Sequence, residues 1–224
     1  MNKEVHQLVE IAEIAMQAND YAHAEKKYID AIYLLDNPES EDYQKVINKL
    51  AKCYSAQENF AGAKECLEKL LFYAKKNKDL EREAAYLHAL AVNTRSMEEY
   101  DLASLMCEEE ITFRLTHFPD DYCGLARSYH EAAILALLQR NPMKGKINLD
   151  KAKQYADKSG DDDCQANILR GIGDYHFTLN ELERAHDSYQ GSHALYMKIK
   201  NEEAAAELLA RMQRVKNEEH QNRT

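Results

Sequence analysis

A small residue recurs about every 40 positions along this chain of 224 residues. The five members of the series are Ala24, Ala63, Ala103, Gly145 and Ala185. Each has an aromatic, large apolar or proline residue three positions before it. A fixed period of roughly 20 to 50 residues is typical of repeat proteins, in which each unit buries its apolar face against its neighbours. The series therefore predicts a stacked array of similar units.

Each period contains two segments with apolar residues at helical spacing, joined by a short polar turn. A second small-residue series lies in the first segments, at Ala12, Ala51, Ala91, Ala133 and Gly173. Small side chains on both helices of a pair let the helices pack closely. We predict an all-α solenoid domain over residues 1–216, with helix–turn–helix units at about 5–38, 43–78, 82–118, 122–158 and 162–199. A capping helix is expected at about 201–216, followed by a frayed polar tail at 217–224.

Composition excludes several classes of protein. The formal charge of −10 argues against a nucleic-acid partner held by phosphate contacts. No apolar run is long enough to span a membrane, and the first residues are too polar for a signal peptide. The five cysteines are scattered without a CxxC pair, which favours buried, reduced thiols. We therefore expect a cytoplasmic protein with neither a membrane nor a nucleic-acid partner.

The sequence carries no recognisable catalytic motif, so we expect a protein that is not an enzyme and has no cofactor. The pair Gly171-x-Gly173 lacks the third glycine and the preceding strand of a dinucleotide loop. The acidic stretch 160–163 lacks the alternating ligands of a calcium loop. His88 and His130 fall at equivalent positions of two units, but no third ligand is evident, so no metal site is predicted. The glutamate run 108–110 is expected to be a solvated helix face.

The pattern resembles the tetratricopeptide repeat. Residues 169–192 match it through the pair Ile172–Gly173 and through Leu182, Ala185 and Tyr189, and the resemblance extends over about 5–199. It implies a right-handed superhelical solenoid of five repeats with a concave groove. The period of about 40 exceeds the family's usual 34, which implies longer helices. Pro142 and Gly145 replace the expected aromatic residue and alanine, so we expect an irregular start to the second helix of the fourth unit.

The resemblance also implies which side chains face the groove, because ligand contacts in this family come largely from the inward face of the first helices. Transferred by position, the candidate ligand-binding residues are Lys45, Asn48, Lys52, His88, Val92, Arg95, Arg127, His130, Ile134, Asn167, Arg170, Asp174 and Phe177. Basic residues outnumber acidic ones at these positions, although the whole chain is acidic. We therefore expect selection of an acidic segment or a free C-terminal carboxylate. The amides of Asn48 and Asn167 are expected to pair with the backbone of a bound peptide.

These observations favour a non-enzymatic module, an adaptor or scaffold, that binds a protein or peptide segment in its groove. Two alternatives stay open. Long-period arrays are similar to the ligand-binding parts of Gram-positive peptide-pheromone receptors, which would make this chain a peptide-sensing signalling regulator. Alternatively, the groove or the last helix could engage a second copy, giving a self-associating structural protein or a homodimer.

Overall fold

The computed structural model describes residues 2–221, and these form eleven helices and no strand. The first six helices are α1 (Lys3–Gln17), α2 (Tyr21–Tyr33), α3 (Glu41–Ala56), α4 (Phe60–Asn77), α5 (Leu80–Ser96) and α6 (Tyr100–His117). The remaining five are α7 (Tyr122–Leu138), α8 (Pro142–Ser159), α9 (Asp162–Thr178), α10 (Leu182–Lys198) and α11 (Glu202–Gln221). The predicted all-α fold of paired helices is confirmed.

The chain divides into two compact units, residues 1–109 and residues 110–224, and the division falls within α6. The prediction of one continuous solenoid domain over residues 1–216 stays a prediction. In unit 1 each of α1 to α4 packs against the helix that follows it. In unit 2 the same is true of α7 to α10, and α7 also packs against α9. This α7–α9 contact positions the candidate site described below.

The two series of small residues lie at the centre of the helix pairs, as the pattern predicted. All five members of the opening series are buried. Gly145 has a specific reason to lack a side chain, since a Cβ there would lie 2.6 Å from the hydroxyl oxygen of Tyr175. That hydroxyl donates a hydrogen bond of 3.0 Å to the carbonyl oxygen of Pro142. In the fourth unit a tyrosine therefore fills the space that Ala24 and its equivalents fill elsewhere.

The turn inside each repeat is also periodic. Left-handed backbone conformations, with φ between 59° and 62°, occur at Asn19, Glu58, Glu98, Arg140 and Asn180. None of these residues is a glycine, although the left-handed region costs most other residues about 1 kcal/mol or more. Each is followed by one residue and then by the second helix of the repeat. A repeated turn of three residues therefore sets the same antiparallel geometry in every pair.

Two expectations about helix ends are wrong. The helix α8 begins regularly at Pro142, because Asn141 caps it by accepting a hydrogen bond of 3.0 Å from the Lys144 amide. Proline is tolerated there, since the first amides of a helix have no partner within the helix. The capping helix α11 continues to Gln221, five residues past its expected end. Buried Val215 anchors its last turns. Residues 222–224 of the expected tail lie outside the described residues.

Candidate functional site

A pocket of about 450 Å³ opens between α7 and α9 in unit 2. Its lining residues are Cys123, Arg127, His130, Asp161, Asp163, Cys164, Asn167, Ile168, Arg170, Gly171 and Asp174. Both helices begin at this end, and each is capped by an aspartate. Asp121 accepts a hydrogen bond of 2.9 Å from the Gly124 amide, and Asp161 accepts one of 2.9 Å from the Cys164 amide. Helical spacing then presents residues three or four positions apart to the pocket.

One wall of the pocket depends on a glycine. A Cβ on Gly171 would overlap the Nε2 and Cε1 atoms of His130, so a hydrogen at this position lets the imidazole lie directly against α9. Burial lowers the pKa of His130, opposed by the nearby Glu131 carboxylate and by a hydrogen bond with the Gly171 backbone. The imidazole is therefore neutral at pH 7 and adds no positive charge to the pocket.

The Asn167 side chain is fully occupied by the protein itself. Its Nδ2 donates hydrogen bonds to the backbone oxygen of Asp163 at 2.9 Å and to the Asp163 carboxylate at 3.1 Å. Its Oδ1 accepts from Arg170 at 3.2 Å and from the Tyr196 hydroxyl at 2.9 Å. These four bonds use both donors and both lone pairs of the amide. The expectation that Asn167 is available to pair with a peptide backbone is therefore wrong, because neighbouring side chains already saturate it.

The cap helix α11 covers three further predicted residues. Arg170 lies 3.7 Å from the Glu207 carboxylate. Arg211 donates a hydrogen bond to Asp174, which also accepts one of 2.7 Å from the Tyr189 hydroxyl. Phe177 makes a cation–π contact with the same helix, since the Arg214 guanidinium lies 4.9 Å from the centre of its ring. Arg170, Asp174 and Phe177 are therefore already partnered, at least in part, by residues of α11.

Arg127 stands apart from these partnered residues. It is exposed and lines the pocket, and it has no ion-pair or hydrogen-bond partner within residues 2–221. Asp161 and Asp163 extend the acidic side of the lining. The pocket thus contains two arginines, three aspartates and a neutral histidine, and the predicted net-basic surface does not hold at this pocket. Among the described residues that line it, Arg127 is the one cation without a partner.

Five of the pocket residues were predicted from the sequence, namely Arg127, His130, Asn167, Arg170 and Asp174. Six were not, namely Cys123, Asp161, Asp163, Cys164, Ile168 and Gly171. The first four lie at or just before the first turn of their helices, whereas the transferred positions lie deeper, and Ile168 and Gly171 lie beside transferred positions of α9. For the two aspartates, the acidic stretch 160–163 at the start of α9 was the available signal. Ile134 lies further along α7 and is half-buried, outside the pocket lining.

The remaining candidates belong to unit 1. Lys45 and Lys52 are exposed on α3, and Lys45 forms an ion pair of 3.1 Å with Glu41 one turn earlier. The others are half-buried, and they are Asn48 on α3 and His88, Val92 and Arg95 on α5. Their role in binding stays a prediction.

Across residues 2–221, no group of three or more His, Cys, Asp and Glu side chains is arranged to hold a metal ion. No helix within the same residues is both long enough and apolar enough to cross a lipid bilayer.

No family model matches the sequence, and no curated protein matches it. Several solved structures are similar to this chain. BtubC (BKLC) from P. vanneervenii is 15% identical with a TM-score of 0.66, over 88% of this chain and 81% of that one. The TPR-like repeats of a putative kinesin light chain from P. anserina give 15% identity and a TM-score of 0.66, over 90% of this chain and 99% of that one.

A Rap protein complexed with competence and sporulation factor is 13% identical with a TM-score of 0.61, over 97% of this chain and 66% of that one. At these identities the likeness concerns the fold. It agrees with the two small-residue series, the periodic turns and the consecutive helix pairs. This chain therefore has the tetratricopeptide-repeat fold.

Proposed function

We propose that this protein is a non-enzymatic binding module whose α7–α9 pocket holds the C-terminal carboxylate of a peptide or protein segment. The observation that carries the proposal is Arg127, an exposed guanidinium without a partner in the described chain, on the wall of a concave pocket. A guanidinium presents paired N–H donors in the geometry of a carboxylate, and such charge-assisted bonds are short and strong. A free terminus supplies a carboxylate at the end of a segment slim enough for the pocket.

The rest of the lining suits the backbone that precedes such a terminus. Asp161 and Asp163 are exposed and can accept hydrogen bonds from peptide N–H groups or a basic side chain. Neutral His130 offers no charge that would compete with Arg127 for the carboxylate. Arg170 contributes less than its charge suggests, because Glu207 lies beside it. Binding should therefore depend mainly on Arg127 and weaken as salt screens its charge.

One comparison supports a peptide ligand and the regulatory alternative. A Rap protein of similar fold was solved in complex with competence and sporulation factor. A ligand held between α7 and α9 could act here as a signal, and an adaptor would instead hold its partner continuously. Both roles require the same carboxylate contact, so the experiment below addresses their common step.

The test uses fluorescein-labelled peptides selected by display on the purified protein, each made with a free C-terminal carboxylate and as the C-terminal amide. Fluorescence anisotropy gives the Kd for wild type and for Arg127→Glu. We expect the carboxylate form to bind about 10- to 100-fold more tightly than the amide, and Arg127→Glu to remove that preference.

Arg140→Glu is the matched control, because it makes the same change of charge in unit 2 at an exposed turn position. The equivalent turns carry Glu58 and Glu98 with the same backbone conformation, so glutamate fits there. Equal affinity for carboxylate and amide peptides would refute the proposal. Equal loss in Arg127→Glu and Arg140→Glu would refute it as well, since it would point to general electrostatic attraction.

A further inference from the structure

Two cysteines from different helices meet at one end of the pocket. Cys123 lies in the first turn of α7 and Cys164 in the first turn of α9, and both line the pocket. They pack into the same apolar cluster of unit 2. Cys123 also lies close enough to Cys164 to help raise the pKa of the Cys164 thiol. The 40 intervening residues of chain thus bring two sulfur atoms together beside a solvent-accessible space.

The other three cysteines are closed to solvent. Cys53, Cys66 and Cys107 are buried, and of the five thiols only Cys123 is partly accessible. Cys53 is held by a 3.4 Å contact with the carbonyl oxygen of Tyr21. The expectation that all five thiols are buried is therefore wrong for Cys123. A solvent-accessible thiol with a second thiol nearby is the arrangement in which a sulfenic acid can be converted to a disulfide.

We propose that Cys123 and Cys164 form a reversible intramolecular disulfide when a hydroperoxide enters the pocket. In the first step the Cys123 sulfur attacks one peroxide oxygen, the O–O bond breaks, and Cys123 becomes a sulfenic acid as water or an alcohol leaves. In the second step the Cys164 sulfur attacks the Cys123 sulfur, the S–S bond forms and the S–O bond breaks. Cys164 releases its proton to water before this attack, and the departing hydroxide takes up a proton from water and leaves as water, so the step balances. Two thiols lose two electrons and two protons, and the peroxide gains them.

The order of the steps follows from the surroundings of each sulfur. Burial, together with the nearby Cys123 side chain, raises the pKa of Cys164 to about 12, and the nearby Asp161 carboxylate acts in the same direction. Cys164 therefore stays protonated at neutral pH and is a poor first nucleophile. Cys123 reacts first because it is the more accessible thiol. Closure waits for Cys164 to lose its proton, so the disulfide should form faster as the pH rises.

A disulfide at this place would also affect the pocket, a consequence that depends on the function proposed above. It would join the first turns of α7 and α9, the two helices that form the walls. Arg127 follows Cys123 by one helical turn on the same face. Fixing the helices there alters how far the guanidinium can reach into the pocket. We expect oxidation to change the Kd for the carboxylate peptide at least threefold.

Peptide mapping by mass spectrometry tests the cross-link directly. Purified full-length protein is treated with hydrogen peroxide, its free thiols are blocked, and it is digested with trypsin. The expected product joins peptide 115–127 to peptide 159–170 with the loss of two hydrogens, and dithiothreitol should reverse it. Cys123→Ser and Cys164→Ser should each abolish it. Cys66→Ser, the control at a buried thiol of unit 1, should leave the yield unchanged.

The outcomes separate the two proposals. Sulfinic or sulfonic acid at Cys123 without a cross-link would overturn the disulfide, as would a yield that survives either serine variant. A cross-link that leaves the peptide Kd unchanged would keep the disulfide and overturn its coupling to the pocket. If no carboxylate peptide binds even the reduced protein, the proposed function fails while the mapping result stands.

Discussion

A buried glutamate offers the sharpest test of how unit 2 is held together. The Glu110 side chain is fully buried. It accepts hydrogen bonds from Arg114 Nε at 2.7 Å and from the Ser128 hydroxyl at 2.6 Å. Arg114 also donates a 2.6 Å bond to Asp121, the residue that caps α7. A buried charge pair of this kind orders the start of α7 against the end of α6.

We expect Glu110→Ala to lower the free energy of unfolding by about 3 kcal/mol. Removing one partner of a buried ion pair typically costs about 3–5 kcal/mol, because the other charge is left uncompensated. The lower end applies here, since Arg114 keeps Asp121 and Ser128 keeps its 2.9 Å bond to the Gly124 carbonyl oxygen. Glu109→Ala is the control, an exposed neighbour whose loss should cost less than about 0.5 kcal/mol.

Urea denaturation followed by circular dichroism measures both variants. We expect a clear fall in the midpoint for Glu110→Ala and almost none for Glu109→Ala. The double variant Glu110→Leu/Arg114→Met should regain much of the loss, because apolar side chains of similar size remove both charges together. A loss below about 1 kcal/mol in Glu110→Ala, or one no larger than in Glu109→Ala, would refute the reasoning.

Three other expected outcomes follow from single residues. Gly171→Ala should lower the free energy of unfolding, because the new methyl group must displace the His130 ring. Gly191→Ala is the control and should raise the free energy of unfolding by about 0.5–1 kcal/mol, because a Cβ at that position meets only an ordinary van der Waals contact. Equal changes of the Tm in the two variants would contradict this expectation. Burial lowers the pKa of His130, so stability should fall as the pH drops below about 6.5, and His130→Gln should remove that dependence in urea titrations. A hydrogen bond from His176 lowers the pKa of Glu181 in the folded protein, so Glu181→Gln should reduce the Tm slightly at pH 7. The difference in Tm between wild type and variant should shrink as the pH falls below about 4.3, and it should vanish once Glu181 is protonated in the folded protein as well. A Glu181→Gln deficit that persisted at pH 3 would argue against an ionic origin.

The fold was predictable because its main constraint repeats. Every helix pair needs a small residue at the point of closest approach, so a small residue recurs five times in the sequence at nearly constant spacing. The one departure, Gly145, follows the same rule more strictly, since Tyr175 fills the space where a Cβ would lie. Helix ends were predicted less well, because each depends on a single residue without a periodic signal. Asn141 caps the start of α8, and buried Val215 holds the last turns of α11.

The buried ion pair could have been found from helical phase. Glu110 follows the glutamates at 108 and 109, and a run of three acidic residues suggests a solvated face. Yet Ala103, Cys107, Glu110 and Arg114 are spaced by four, three and four residues, which places all of them on one side of α6. The first two are buried. Composition therefore gave the wrong environment for Glu110, and periodicity would have given the right one.

Periodicity does not predict which charges at the pocket are available to a ligand, because this depends on which side chains the next helix places beside them. Arg170 and Asp174 occupy the positions that the resemblance implied, but α11 places Glu207 beside the first and Arg211 beside the second. A count of basic residues along the groove treats these charges as available to a ligand. In the structure each has an opposite charge within about 4 Å, which weakens its attraction for a ligand. Arg127 differs only in having no such neighbour within the described chain. Recognition at this pocket should consequently follow the one lining cation that residues 2–221 leave unpaired, rather than the net charge of the face.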